Sequence, residues 1–376
     1  MRLRLLLALT SLVPFAALAQ PAPASATWQF VVAGDSRNCG DVIMPAIAHG
    51  AQANGARFYW HLGDYRAIYE YDEDMLQAAA MAGERLSISD YLKGAFQDAI
   101  DNQLKPFDPV PVFVAIGNHE TYWPMTRGDF VKAFAGYLDR PEIRQQRLKD
   151  DPADTTARTY YHWTMNGVDF ITLDNGSCDM FDAAQMQWFE ALLARDKADP
   201  SIKTVVVGMH AALPDSLACG HSMSNYPREL ESGRQVYKDM LAVQNDAHKQ
   251  VYLLASHSHF VMDDVYDSTH WQANGGVLPG WIIGTAGAIR YRLPTGVTAG
   301  ANNKTDVYGY LLATVDPPGS VPGTITFQFK EVGLRDVPNE IMSRYGKLFV
   351  TDFCFAANRD LREQKGGCDP PGACHP

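Results

Sequence analysis

No stretch of this 376-residue chain is low in complexity, and no segment recurs at a fixed spacing. The second absence excludes solenoids and propellers, whose stacked units leave a period in the sequence. Basic residues are outnumbered, with 32 Lys and Arg against 43 Asp and Glu and a formal net charge of −11. General nucleic-acid binding needs a basic surface that displaces counterions, so this balance excludes it. It leaves an anionic small substrate open, because bound ions can dominate a local field. There is no His-Glu-x-x-His, which removes the zinc-peptidase reading. A membrane-spanning run is missing too: the apolar stretch "LLLALTSLVPFAALA" stops short of the about 20 residues a span needs.

That stretch follows the basic "MRLR" and ends in Ala17-Leu18-Ala19, a small-residue cleavage site. Residues 1–19 are therefore expected to be a signal peptide, followed by a short flexible leader at 20–26. Gln20 stands after the cut, where a lipid anchor would need Cys. Export to a periplasm or the medium is the expectation, with no membrane anchor after cleavage. Loss of Arg2 and Arg4 leaves the rest more acidic still. In an oxidising compartment the six cysteines read as disulfide partners. Two of Cys354, Cys368 and Cys374 are expected to staple the Gly/Pro-rich tail "EQKGGCDPPGACHP", whose cysteine spacing matches no zinc site.

What is present is a globular composition, 46% hydrophobic and 20% charged. Length alone suggests about two domains, but strand and helix patterns alternate through most of the chain. "TWQFVVAGD", "ARFYWHLGD", "VPVFVAIGNHE", "KTVVVGMH" and "QVYLLASHSH" read as strands. Helices are expected over 41–52, about 74–103, around 183–196 and over 226–247. "RTYYHWTMNGVDFITLDN" reads as a hairpin turning on Asn166-Gly167. Beyond residue 280 the chain turns strand-rich. One α/β domain over 27–345 with packed sheets fits this order, leaving 346–376 as a Cys-containing tail.

Five strands end in potential metal ligands: Asp35, Asp64, Asn118, His210, and the pair His257 and His259. Each alone is unremarkable, since Gly-Asp is a common turn and a lone His is usually a loop residue. Ligands at the carboxyl ends of adjacent strands, however, converge on one crevice. Oxygen donors with imidazoles and no thiolate suit zinc, manganese, iron or cobalt. Two such ions about 3.5–4 Å apart can clamp the attacking and leaving oxygens of an in-line displacement, which suits phosphate-ester hydrolysis.

"AGDSR", "LGDYR", "IGNHE", "VVVGMH" and "SHSH", in that order, resemble the motifs of the calcineurin-like metallophosphoesterases, in style those of the purple acid phosphatases. The resemblance spans residues 27 to about 332. It implies two packed β-sheets flanked by helices, and two metal ions drawn from Fe, Zn and Mn. By the same resemblance Asp35, Asp64 and His259 hold the first ion, Asp64 bridges, and Asn118, His210 and His257 hold the second. A metal-bound hydroxide then attacks phosphorus. His119 lies near the leaving group or that hydroxide, and Glu120 orients neighbouring groups. His221, in "HAALPDSLACGHSMSN", resembles the loop histidine that protonates the leaving group, with Cys219 pinning that loop, Cys178 being one candidate mate. Two departures stand out. Arg37 replaces a frequent ligand histidine, and Ala67 stands where purple acid phosphatases carry a ligand tyrosine. Tyr65, Tyr69 or water is left to fill that place. Arg37 has no lone pair to offer a metal, so it either holds phosphoryl oxygens or pairs with the acid run Asp72-Glu73-Asp74.

The expectation is thus an exported metal-dependent phosphoesterase acting on small-molecule phosphate esters, monoesters favoured. The alternatives are a diesterase of the same superfamily, and a metal- or phosphate-binding protein without turnover.

Overall fold

A computed structural model of the chain describes residues 27–176, 181–224, 226–362 and 364. Among these the strands, in chain order, are β1 (Trp28–Ala33), β2 (Tyr59–His61), β3 (Val112–Val114), β4 (Tyr161–Met165), β5 (Val168–Thr172), β6 (Thr204–Gly208), β7 (Gln250–Ala255), β8 (Val261–Met262), β9 (Gly280–Ile283), β10 (Gly309–Val315) and β11 (Ile325–Glu331). They form two sheets, ordered β11-β10-β1-β2-β3 and β4-β5-β6-β7-β9-β8. Both are mixed: β1, β2 and β3 run parallel, as do β5, β6, β7 and β9, with antiparallel strands at the edges. Strands covered on both faces lose the alternation of apolar and polar residues. The five residues of β6, "TVVVG", are accordingly all buried, whereas the edge strand β11 alternates.

The sheets pack face to face on an aromatic layer. Phe113 of β3 stacks on Trp163 of β4 with ring centres 3.8 Å apart, and Phe30 of β1 meets Phe170 of β5 edge-on at 5.3 Å. Trp60 of β2 fills the space where a side chain on Gly208 of β6 would clash. On the outer face of the second sheet, Val205, Val207 and Leu253 pack with Leu192, Tyr237 and Met240 from the helices Ala183–Ala198 and Pro227–Ala247. The hairpin turns where expected, with positive φ at both Asn166 and Gly167.

Two regions differ from the sequence expectation. The helical stretch over 74–103 is broken after Glu73–Met81, because Gly83 adopts φ +76°. Ser87 then restarts the chain as Ile88–Ala99, its side chain capping the Asp90 N–H. Within the expected tail, Phe349–Ala357 is helical with Val350 and Cys354 buried, and Cys354 is disulfide-bonded to Cys39, 315 residues earlier. Cys178, Cys368 and Cys374, with the N-terminal segment 1–26, lie outside the described residues, as does the side chain of Cys219.

Beneath the loop that follows β1 lies a buried charge network. Arg66 donates to Asp74 at 2.8 Å, to Asp41 at 2.6 Å and to Asp98. Tyr345 donates to the other oxygen of Asp41, and Gln103 joins Asp41 to Ser36. One guanidinium thus compensates several buried carboxylates. Removing it strands them, so Arg66→Met is expected to lower the unfolding free energy by about 3–5 kcal/mol in denaturant titration. A variant as stable as the parent would show that the network does not hold the fold.

Candidate metal centre

Asp35 follows β1, Asp64 follows β2, Asn118 and His119 follow β3, His210 follows β6, and His257 and His259 follow β7, so the residues singled out lie past the carboxyl ends of strands. Three of them sit in left-handed backbone: Asp35 at φ 59°, Asp64 at 61° and His257 at 64°. Each such residue costs about 1–3 kcal/mol, a strain that persists only where surrounding structure enforces it and that gathers at functional sites. The turn lets the chain leave the strand at once while its side chain stays over the sheet edge.

The histidines explain what the cluster lacks. His210 Nδ1 lies 2.9 Å from the Leu62 carbonyl, His119 Nδ1 2.7 Å from that of Ala67, and His259 Nδ1 2.8 Å from that of Ile289. A carbonyl only accepts, so each Nδ1 carries the proton and each Nε2 in a neutral ring is a lone pair. Those lone pairs face other acceptors. His259 Nε2 is 3.1 Å from Asp35 Oδ1, and His119 Nε2 is 3.5 Å from Asp64 Oδ2. His210 Nε2 is 2.9 Å from Asn118 Oδ1, 3.1 Å from His257 Nδ1 and 3.4 Å from Asp64 Oδ1. Asp35 Oδ1 and Asp64 Oδ2 are buried and accept no hydrogen bond. Donor atoms of Asp64, His210 and His257 all lie within 4.8 Å of one another, a group that can hold a metal ion.

The charges point the same way. Burial alone would raise Asp35, but His259 holds it down at about 2. Asp64 is held well below the usual range against burial by His119 and His210. Burial works to lower His210, yet Asp64 keeps it up at about 9. Burial and Arg37 push His119 down to about 4, and burial and His259 do the same to His221. Two ionised carboxylates in one buried pocket call for positive charge, part of which a proton on His210 supplies.

Surrounding residues fix this geometry. Glu120 accepts the backbone N–H groups of Asp64 at 2.9 Å, Tyr65 at 2.8 Å and Gly117 at 2.8 Å, tying the β2 and β3 loops together. Those loops touch backbone to backbone: a Cβ on Gly63 would meet Gly117 N at 2.5 Å, and one on Gly117 would run into the Asp64 carboxylate. That is why a glycine precedes Asn118. Asn175, past β5, accepts the His210 and Ala211 N–H groups at 3.1 Å each, and Ser256 donates to Asp35. Neither was foreseen; the one available signal for Asn175 is another polar strand end, "LDN". His61 is a satisfied core histidine, accepting from Gly63 N–H and paired with Ser36.

Arg37 is buried against this cluster, with Nη1 3.3 Å from the Tyr69 hydroxyl and Nε unpartnered. The acid run proposed as its partner is engaged elsewhere: Asp74 with Arg66, Glu73 with Asn38, and Asp72 with Tyr91 and the N–H groups of Asn38 and Ala67. Tyr65 turns into the core, its hydroxyl on the Ala115 carbonyl, so Tyr69 is the one of the two beside the site. His221 lies with its ring 5.3 Å from His257 and 5.4 Å from Tyr291. Tyr291 itself stacks on His259 at 4.2 Å, a contact no sequence pattern announced.

No protein-family model and no curated protein matches the sequence. Solved structures do match its shape. The structure of PhoD covers 83% of this chain and 73% of its own at 17% identity, with a TM-score of 0.50. A purple acid phosphatase from yellow lupin seeds covers 85% of this chain at 15% identity and a TM-score of 0.47, and this chain spans 56% of that one. The Haemophilus influenzae NAD nucleotidase covers 90% at 11% identity and a TM-score of 0.36, with 58% of its own length aligned. The chain has the calcineurin-like metallophosphoesterase fold. At these identities the likeness is one of fold.

The Glu120 clamp has a measurable consequence. Glu120→Ala leaves three buried N–H groups without an acceptor, at about 1–3 kcal/mol each. The variant is expected to melt earlier and to retain less metal than the parent in elemental analysis. Full metal content with parental stability would show that the two loops hold their register without it.

Proposed function

We propose that the protein is a metal-dependent phosphoesterase acting on small phosphate esters, monoesters in preference to diesters. The observation that carries the reading is the convergence of histidine lone pairs on two ionised, partly unbonded aspartates, a set of donors that fits bound cations. Asp35, Asp64 and His259 would hold one ion, with Asp64 shared, and Asn118, His210 and His257 a second. Iron, zinc and manganese suit these donors. When bound, such ions supply positive charge against the phosphoryl group and acidify a water into the neutral range.

The chain's own residues do the rest. The carbonyls of Leu62, Ala67 and Ile289 fix the tautomers and ring planes of three histidines. Arg37, charged at any working pH, presents a planar fork for two phosphoryl oxygens. A proton for the departing oxygen, which an alkoxide needs to leave well, would come from His221 or His119; each is pushed down to about 4 and is charged only in acid, so this step belongs to acid pH. Export through residues 1–19 belongs to this reading, supported by the Cys39–Cys354 disulfide, since such bonds persist in oxidising compartments. No helix among the described residues is long and apolar enough to cross a membrane.

Asp64→Ala is expected to reduce kcat on an aryl phosphate by at least about 10³-fold, because losing the shared ligand misplaces both ions. Parental turnover in that variant would overturn the two-ion reading. Absence of turnover in the metal-loaded parent would instead leave a protein that binds metal or phosphate alone. Arg37→Ala should weaken inhibition by inorganic phosphate by about 10- to 150-fold, the worth of a charge-assisted contact of about 1.5–3 kcal/mol. Its metal content should stay unchanged. Unaltered inhibition with a lowered melting temperature would make Arg37 a structural residue.

A further inference from the structure

Beside Arg37 and His119 the structure places an aromatic wall. The ring of Tyr69, from the loop after β2, lies 5.0 Å from His119 and 5.1 Å from Tyr122, and His119 lies 5.2 Å from Tyr122. Three rings from two loops are thus in mutual contact. The wall is held at both ends, by His119 Nδ1 on the Ala67 carbonyl and by the Tyr69 hydroxyl on Arg37. It also reaches water: Tyr69 is 51% exposed and Tyr122 half-buried, although each ring has two aromatic neighbours with which it could have been covered. The inner edge of the wall is His119, whose Nε2 faces Asp64, and its exposed edge is Tyr69.

We propose that this wall sets the substrate class, taking esters whose leaving group is a flat ring. This rests on the phosphoesterase reading and deepens it. With the phosphoryl oxygens on Arg37, whose guanidinium touches Tyr69, a leaving group directed towards His119 passes along Tyr69 and Tyr122. An aryl alcohol or a nucleoside offers a face to stack there. An open alkyl chain offers less area and no ring to match the rings of the wall. Stacking on aromatic side chains tolerates any planar ring, so the wall selects a shape and leaves the identity of the base or arene open.

Equilibrium binding to the metal-loaded protein separates this from turnover. Phenylphosphonate and n-propylphosphonate, which present the same anion on a ring and on a chain, would be compared by calorimetry. A nucleoside 5′-phosphonate then distinguishes a nucleoside from a simple arene. Phenylphosphonate is expected to bind about tenfold tighter than propylphosphonate. Tyr122→Leu should close that gap to within about twofold, while Tyr122→Phe, which keeps the ring, keeps it. Trp123, next in the chain and 87% exposed, serves as the control, and Trp123→Ala should retain the gap. Equal affinities in the parent, binding of neither phosphonate, or a gap lost in Trp123→Ala but kept in Tyr122→Leu would each overturn the proposal. Equal affinities in a protein that hydrolyses esters would leave the phosphoesterase reading standing. A ring preference without hydrolysis would do the reverse.

Discussion

Acceptors facing acceptors are the constraint around which this molecule is arranged. With Nδ1 of His119, His210 and His259 committed to carbonyls, three lone pairs aim at Asp64, Asn118 and Asp35 across 2.9 to 3.5 Å. In water such groups would turn away from one another. Here they are largely buried, and the nearest relief within the protein is a proton on His210, whose pKa Asp64 keeps up at about 9. A proton satisfies one contact at a time. A divalent cation satisfies several, which is why the donor set matches a metal better than it matches a hydrogen-bond network.

Keeping those groups in place requires opposing their repulsion, and the means are distributed over the strand ends. Glu120 collects three N–H groups from two loops, Asn175 collects two around His210, and Ser256 and the His257 N–H hold one oxygen of Asp35. Each is a buried acceptor matched to donors, the arrangement in which hydrogen bonds rigidify most. Below them, the Arg66 network and the Cys39–Cys354 bond anchor the loop after β1 to the segments Glu73–Met81 and Phe349–Ala357. The three left-handed residues tolerate their strain because these anchors leave the chain no other route.

How much of this could be read from the sequence depended on range. Patterns local to a strand were legible: "FVVAGD" and "VVVGMH" announced buried strands with a polar residue past each end, and Asn166-Gly167 announced a hairpin. The helix over 74–103 was misjudged as continuous because its apolar spacing persists across Gly83, and periodicity does not register one residue of positive φ. Contacts between distant segments left no local mark. Cys39 finds Cys354 across 315 residues, Arg66 rather than Arg37 pairs with Asp74 of the acid run, and Tyr291 arrives on His259 by a loop without a motif. Sequence-local chemistry offered the candidate donors, whereas the fold decided which charged groups stand beside them.

The two departures from the resembled pattern turn out to be spatially joined. Ala67 lacks a side chain to bind an ion, but its backbone is used twice, its carbonyl holding His119 and its N–H donating to Asp72. Two residues on, Tyr69 directs its hydroxyl at Arg37, the residue that stands in place of a ligand histidine. A position that would have offered a lone pair thus offers a guanidinium, and the neighbouring phenol is its acceptor. The side of the cluster beside Asp35 is thereby richer in fixed positive charge. Charge supplied by Arg37 cannot be removed by chelation or by pH in the working range. Under the proposed function, part of the work of holding an anionic ester would pass from exchangeable ions to the polypeptide itself.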